Sequence, residues 1–179
     1  MLTRLMNLFE LSAIIAILAI ALLLQFYFHE LPCPLCLLQR IGFLMIAFGF
    51  LLNLKFGYRP FHYTIVLLSA LFTAFVALRQ IALHVLPGAG AYGAPFLGLH
   101  LYTWSFIASM VIIIVTSIVL GMGWQYHARQ YQSTLWYLMT HLLFVMVGLI
   151  LAANIVAVIF ECGFRVCPDN PIKYEMLIR

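Results

Sequence analysis

The chain is 179 residues long, 66% hydrophobic and 8% charged, with nine Lys or Arg against five Asp or Glu and a net charge of +4. A water-soluble domain carries roughly 25% charged residues, so the composition excludes a soluble globular enzyme and a disordered tail and places most of the chain in lipid. The basic residues stand singly or in pairs between apolar runs, as at the flanks of membrane spans, so no nucleic-acid partner is expected.

A helix needs about 20 mainly apolar residues to cross the ~30 Å hydrocarbon layer. Five runs meet that need: Phe9 to Phe28, Leu35 to Leu54, Phe61 to His84, Leu99 to Met122 and Trp136 to Phe160. The first is longer than the apolar part of a secretory signal, and no small-residue cleavage pattern follows it, so it reads as a retained helix. Between the runs lie Leu31 to Pro34, the basic Lys55 to Pro60, a Gly/Ala/Pro stretch from Val85 to Gly98 and the polar Gly123 to Leu135. Backbone satisfaction in lipid favours helices over an open sheet. The expectation is an all-α integral membrane protein, a five-span bundle forming one domain over 1–179, with a tail from Glu161 to Arg179.

Short-loop basic residues set orientation. Arg4, Lys55, Arg59 and Arg129 fall on one side, which predicts a cytoplasmic N-terminus. Arg165, Lys173 and Arg179 in the tail argue the other way, but late charges contribute less to orientation than early ones.

The four cysteines form two close pairs, Cys33-Pro-Leu-Cys36 and Cys162-Gly-Phe-Arg-Val-Cys167. One pair follows the first span and the other follows the fifth, so parity puts both on one face of the membrane whichever way the chain is inserted. On an oxidising face, adjacent pairs can exchange oxidation state by thiolate attack through a mixed disulfide. Cys33 stands at the expected N-cap of the second span, Pro34 at its first position and Cys36 in its first turn. Free backbone N–H groups and the helix dipole favour a thiolate there. Arg40 lies one turn on, about 6 Å further along the same face, and an ionisable residue inside a span is a functional candidate by default. The competing reading has Arg40 snorkelling to lipid phosphate.

The run Cys33-Pro-Leu-Cys36-Leu-Leu-Gln-Arg40 resembles the motif of the DsbB family of disulfide bond formation proteins. Leu83-His84, the Gly98 to Trp104 segment and the Cys162 to Tyr174 tail are similar to a five-span branch of that family. The resemblance implies a thiol:quinone oxidoreductase of the bacterial inner membrane, both cysteine pairs periplasmic. It would reoxidise a soluble thioredoxin-like (DsbA-like) oxidase and pass the electrons to the membrane pool of ubiquinone or menaquinone. By motif match Cys36 contacts the quinone, Cys33 is its partner and Arg40 is the quinone-side cation. Two departures stand out. Gln39 occupies the place where the best-known members carry a glutamate, and the second pair follows span five, not the loop between spans three and four, so Cys162 and Cys167 must take the exchange with the soluble partner.

Quinone reduction takes protons. His29, His84 and His100 fall at the cysteine-side ends of spans, whereas His62, His127 and His141 fall at the other. His84 is the expected quinone-side histidine, against the alternative of a helix-end histidine satisfied by water or backbone. Arg79 is read either as a quinone contact or as a partner for Glu30 or Glu161. Tyr102, Trp104, Trp124 and Trp136 read as interfacial belt residues, and Pro95, Phe96 and Leu97 as a potential roof over the quinone. The weighed alternatives are a structural zinc site on four thiols, a haem-carrying subunit, a structural protein whose disulfides staple the tail, and a vitamin K epoxide reductase-like enzyme whose span order fits poorly. No metal site is expected.

Overall fold

The structure is a computed structural model that describes residues 2–85, 90, 93, 95–126, 134–163, 165–168, 171 and 173–176. His127, Arg129, Arg179 and part of the stretch between Val85 and Gly98 lie outside the described residues. Of the described residues 81% are helical, and none forms a strand. Its helices are α1 (Leu2–Tyr27), α2 (Pro34–Phe56), α3 (Pro60–His84), α4 (Leu101–Gly121) and α5 (Thr134–Cys162), with a 3-10 turn at Gly123–Tyr126. All five helices are long and apolar enough to cross a membrane, and the chain is a multi-pass membrane protein.

Local chemistry sets the helix ends. Pro34 and Pro60 open α2 and α3 at the position where a missing N–H costs nothing. Cys33 caps α2, its Sγ accepting the Cys36 N–H at 3.2 Å. Gly57, at φ 92°, ends α2 and returns its N–H to the Asn53 carbonyl at 3.2 Å. Two limits differ from the apolar runs. Helix α1 begins at Leu2, because the buried Thr3, Asn7 and Glu10 extend its inward stripe beyond the hydrophobic stretch. Helix α5 continues through Glu161 and Cys162, which the composition alone assigns to the tail, and stops at Gly163, whose φ of 63° glycine adopts without steric cost.

Helix α2 is the axis of the bundle: α1, α3 and α5 pack on it, and α4 packs on α3. Its Phe43, Ile46, Ala47 and Phe50 meet Leu11, Ile14 and Leu18 of α1 and Tyr63, Val66 and Ala70 of α3 in one core. Gly49 permits the close approach of α3: a Cβ there would stand 2.6 Å from Val66 Cγ2 and 3.1 Å from the His62 carbonyl oxygen. At the end remote from Cys33, Asn7 donates to Tyr63 Oη at 3.0 Å and accepts from Asn53 Nδ2 at 3.1 Å, and Tyr63 donates to Gln125 Oε1 at 3.0 Å. These bonds satisfy polar groups that lipid would leave unpaired, and they cross-link α1, α2, α3 and the 3-10 turn. Toward the cysteine end α1 and α4 stand on opposite sides of a cavity.

Candidate redox site at the cysteine end

Cys33 and Cys36 are free, with their sulfurs 2.7 Å apart, Cys33 buried and Cys36 partly so. The Cys33 thiol is held above its ordinary range, first by the hydrogen bond it shares with Cys36 and then by burial. Gln80 of α3 reaches both sulfurs, its Nε2 donating to Cys33 Sγ at 3.2 Å and to Cys36 Sγ at 3.4 Å. Gln39 Nε2 donates in turn to Gln80 Oε1 at 2.7 Å. Gln39 therefore has an orienting part, fixing the amide that faces the sulfurs.

Cys36, Gln39, Arg40 and Phe43 of α2 form the floor of a cavity of about 460 Å³. Ile17, Leu18, Ala21 and Leu24 of α1 make one wall, Leu101, Tyr102 and Ser105 of α4 the other, and His29, Glu30, Gly93 and Pro171 the rim. The volume lies within the ~300–1,000 Å³ usual for small-molecule sites, and the mostly apolar wall with a few convergent polar groups is the usual composition of such a site. Arg40 is buried and does not snorkel: it donates to Gln25 Oε1 at 2.5 Å, to the Ala21 carbonyl at 2.9 Å and to Asn154 Oδ1 at 3.5 Å.

The other expected residues fall as follows. Cys162 and Cys167 form a disulfide with Cα atoms 4.7 Å apart, at the last turn of α5. That turn adjoins the cavity end of the bundle, because Glu161 accepts from Gln25, the partner of Arg40, and Pro171 of the tail reaches the cavity rim. The tail folds back through Glu175 N–H to the Glu161 carbonyl at 3.3 Å and Met176 N–H to the Phe160 carbonyl at 3.2 Å. Both cysteine pairs thus stand at one end of the bundle, as parity requires. His84 is not among the described lining residues; its Nδ1 lies 2.8 Å from the Gln80 carbonyl and its ring stacks at 5.5 Å on Tyr102, which is. His100 stacks on the same Tyr102 at 5.3 Å. Tyr102 is therefore a buried wall residue and not a belt anchor. Arg79 is exposed on α3, and Glu161 is buried against Gln25 instead of pairing with it. Phe96 and Leu97 are exposed and are not among the described lining residues of the cavity, whose rim is drawn from His29, Glu30, Gly93 and Pro171.

Sequence reasoning passed over Gln25, Gln80 and Asn154. Their signal was present, since each is an amide inside an apolar run, and a buried amide in lipid must be paired. Periodicity does not say with what.

A family profile described as "Disulfide bond formation protein DsbB" matches residues 3–92, half of the chain. The comparisons with curated proteins and with solved structures gave no match. The matched half holds Cys33, Cys36, Gln39, Arg40 and Gln80, and leaves the second cysteine pair outside it.

Proposed function

Since this chain belongs to the DsbB family and is thereby a membrane oxidoreductase of disulfide formation, we propose that it works as a thiol:quinone oxidoreductase, reoxidising a soluble thioredoxin-like dithiol oxidase at the expense of a membrane quinone. The observation that carries this reading is that Cys36 and Arg40 share the floor of one largely apolar cavity. A quinone ring is an apolar disc with two carbonyl acceptors. The cavity suits it in size and polarity, with Arg40, Tyr102 and Ser105 bringing polar groups to the wall.

When bound, a quinone supplies an acceptor for two electrons and two protons. The protein's own residues do the rest. A dithiol of the soluble partner attacks the Cys162–Cys167 disulfide, forming a mixed disulfide and freeing one tail thiol. The partner's second thiol resolves it, leaving the partner oxidised and the tail a dithiol. A tail thiolate then attacks Cys33 of the Cys33–Cys36 disulfide and releases Cys36; the second tail thiol closes the tail disulfide again. Cys33 and Cys36 release two electrons and two protons as their bond re-forms. Gln80 donates to both sulfurs during this cycle, and Arg40 holds positive charge at the cavity floor.

The reading places the protein in a bacterial inner membrane with its N-terminus cytoplasmic and both pairs periplasmic. The zinc alternative needs four thiolates gathered together, whereas Cys162 and Cys167 are joined to each other. The test mixes purified protein with ubiquinone or menaquinone and a reduced thioredoxin-like oxidase, and follows thiols and quinol together. One quinol per partner disulfide is the expected result; thiol loss without quinol, or no thiol loss, refutes it.

A further inference from the structure

Arg40 buries a full positive charge, yet among the described residues the acceptors that meet its guanidinium, on Gln25, Ala21 and Asn154, are all neutral. The fully buried Gln25 carries the arrangement further: its oxygen takes the Arg40 bond at 2.5 Å and its Nε2 donates to Glu161 Oε2 at 3.2 Å. A guanidinium only donates, and the Glu161 oxygen that faces Gln25 accepts. An amide placed between them has one orientation that satisfies both, oxygen toward Arg40 and nitrogen toward Glu161. Turned over, it would set N–H against N–H on one side and oxygen against oxygen on the other. Glu161 is 1% exposed, and its Oε1 is buried without a partner among the described residues. An apolar residue of similar size would fill that place without the cost of burying a carboxyl group.

We propose that Glu161 is a positioning residue for Arg40, acting through Gln25: by accepting from the amide nitrogen it locks the amide oxygen onto the guanidinium and holds that group at the floor of the cavity beside Cys36. The proposal rests on the reading of the cavity as a quinone site. Glu161 and Cys162 are consecutive, so one helical turn carries both the outer disulfide and the acceptor that orients the cavity's cation.

The test uses the whole protein in lipid nanodiscs with ¹⁵N-labelled arginine and a short-chain ubiquinone, in wild type, Glu161→Leu, Glu161→Gln, Gln25→Leu and the Glu161→Leu/Gln25→Leu double variant. Held on both sides, the Arg40 Nη groups give separate, slowly exchanging signals in wild type. Glu161→Leu merges them and raises the quinone KM about tenfold with kcat within about twofold. Glu161→Gln restores both, because its carbonyl still accepts. The double variant is no worse than the more severe single one, as for two residues of one chain. Unchanged Arg40 signals in Glu161→Leu, Glu161→Gln behaving like Glu161→Leu, or multiplying effects in the double variant would each overturn the proposal. Gln25→Leu breaks the chain from its other end and serves where Glu161→Leu does not fold. If wild type reduces no quinone, the quinone reading falls, while the Arg40 signals still decide whether Glu161 positions it.

Discussion

Replacing Gln80 by leucine tests the cysteine pair directly. The substitution keeps the approximate volume and removes one amide, and with it the contacts of 3.2 Å to Cys33 Sγ and 3.4 Å to Cys36 Sγ. A reduced sulfur, and above all a thiolate, accepts a hydrogen bond more strongly than a disulfide sulfur, so the loss falls on the reduced form. Two contacts from one donor group to a charged or polarised acceptor are worth about 1–1.5 kcal/mol in the difference between the two redox states. For a two-electron couple, that moves the reduction potential of the Cys33/Cys36 pair about 20–30 mV more negative. Gln39 also loses its acceptor, the Gln80 oxygen at 2.7 Å. That cost is paid in both redox states and cancels from the potential, though it lowers the thermal stability of both. The assay equilibrates a Cys162→Ser/Cys167→Ser background with thiol–disulfide buffers of graded potential and reads the pair by alkylation. A potential that stays within about 10 mV of the parent, or moves positive, refutes the assignment of Gln80 as a donor to these sulfurs.

Arg40→Met should raise the KM for quinone about 10- to 100-fold, the loss of one hydrogen bond to a charged group, while the exchange of thiols between soluble partner and tail stays unchanged; stopped-flow traces of the two half-reactions separate them. Cys162→Ser should spare oxidation of the Cys33/Cys36 pair by quinone and abolish turnover with the soluble partner; normal turnover would end the relay. Gly49→Ala should destabilise the bundle by about 1–3 kcal/mol, because the new Cβ meets α3 backbone at 3.1 Å and 3.3 Å as well as the Val66 side chain. Gly121→Ala, where nothing lies within 4 Å, is the neutral control in the same thermal unfolding series.

Hydropathy and the cysteine-arginine motif carried much of the reading. Span length follows from bilayer thickness, so five helices could be counted from composition, and the spacing of Cys33, Cys36 and Arg40 on one helix face needs only helical geometry. Contacts between helices were less legible. Gln80 is 44 residues from Cys36 and Glu161 is 136 from Gln25, and an apolar run shows no periodic stripe that tells which side of a lipid-bound helix faces a neighbour. Tyr102 illustrates the same gap. An aromatic near a span end is equally at home in the interfacial belt, and only the packing of α4 on α3, with His84 and His100 against its ring, turns it inward.

The cavity is lined by residues of both α1 and α4, two helices whose main packing partners differ: α1 packs on α2 and α5, and α4 on α3. On the proposed quinone reading, a slot between helices of that kind would exchange its contents sideways with the surrounding hydrocarbon. Its filling then depends on surface density in a two-dimensional film, so occupancy tracks the mole fraction of acceptor among the lipids and is indifferent to the volume of the aqueous sample. Diluting such proteoliposomes with buffer would leave electron delivery per molecule constant, whereas diluting them by fusion with plain lipid would slow it.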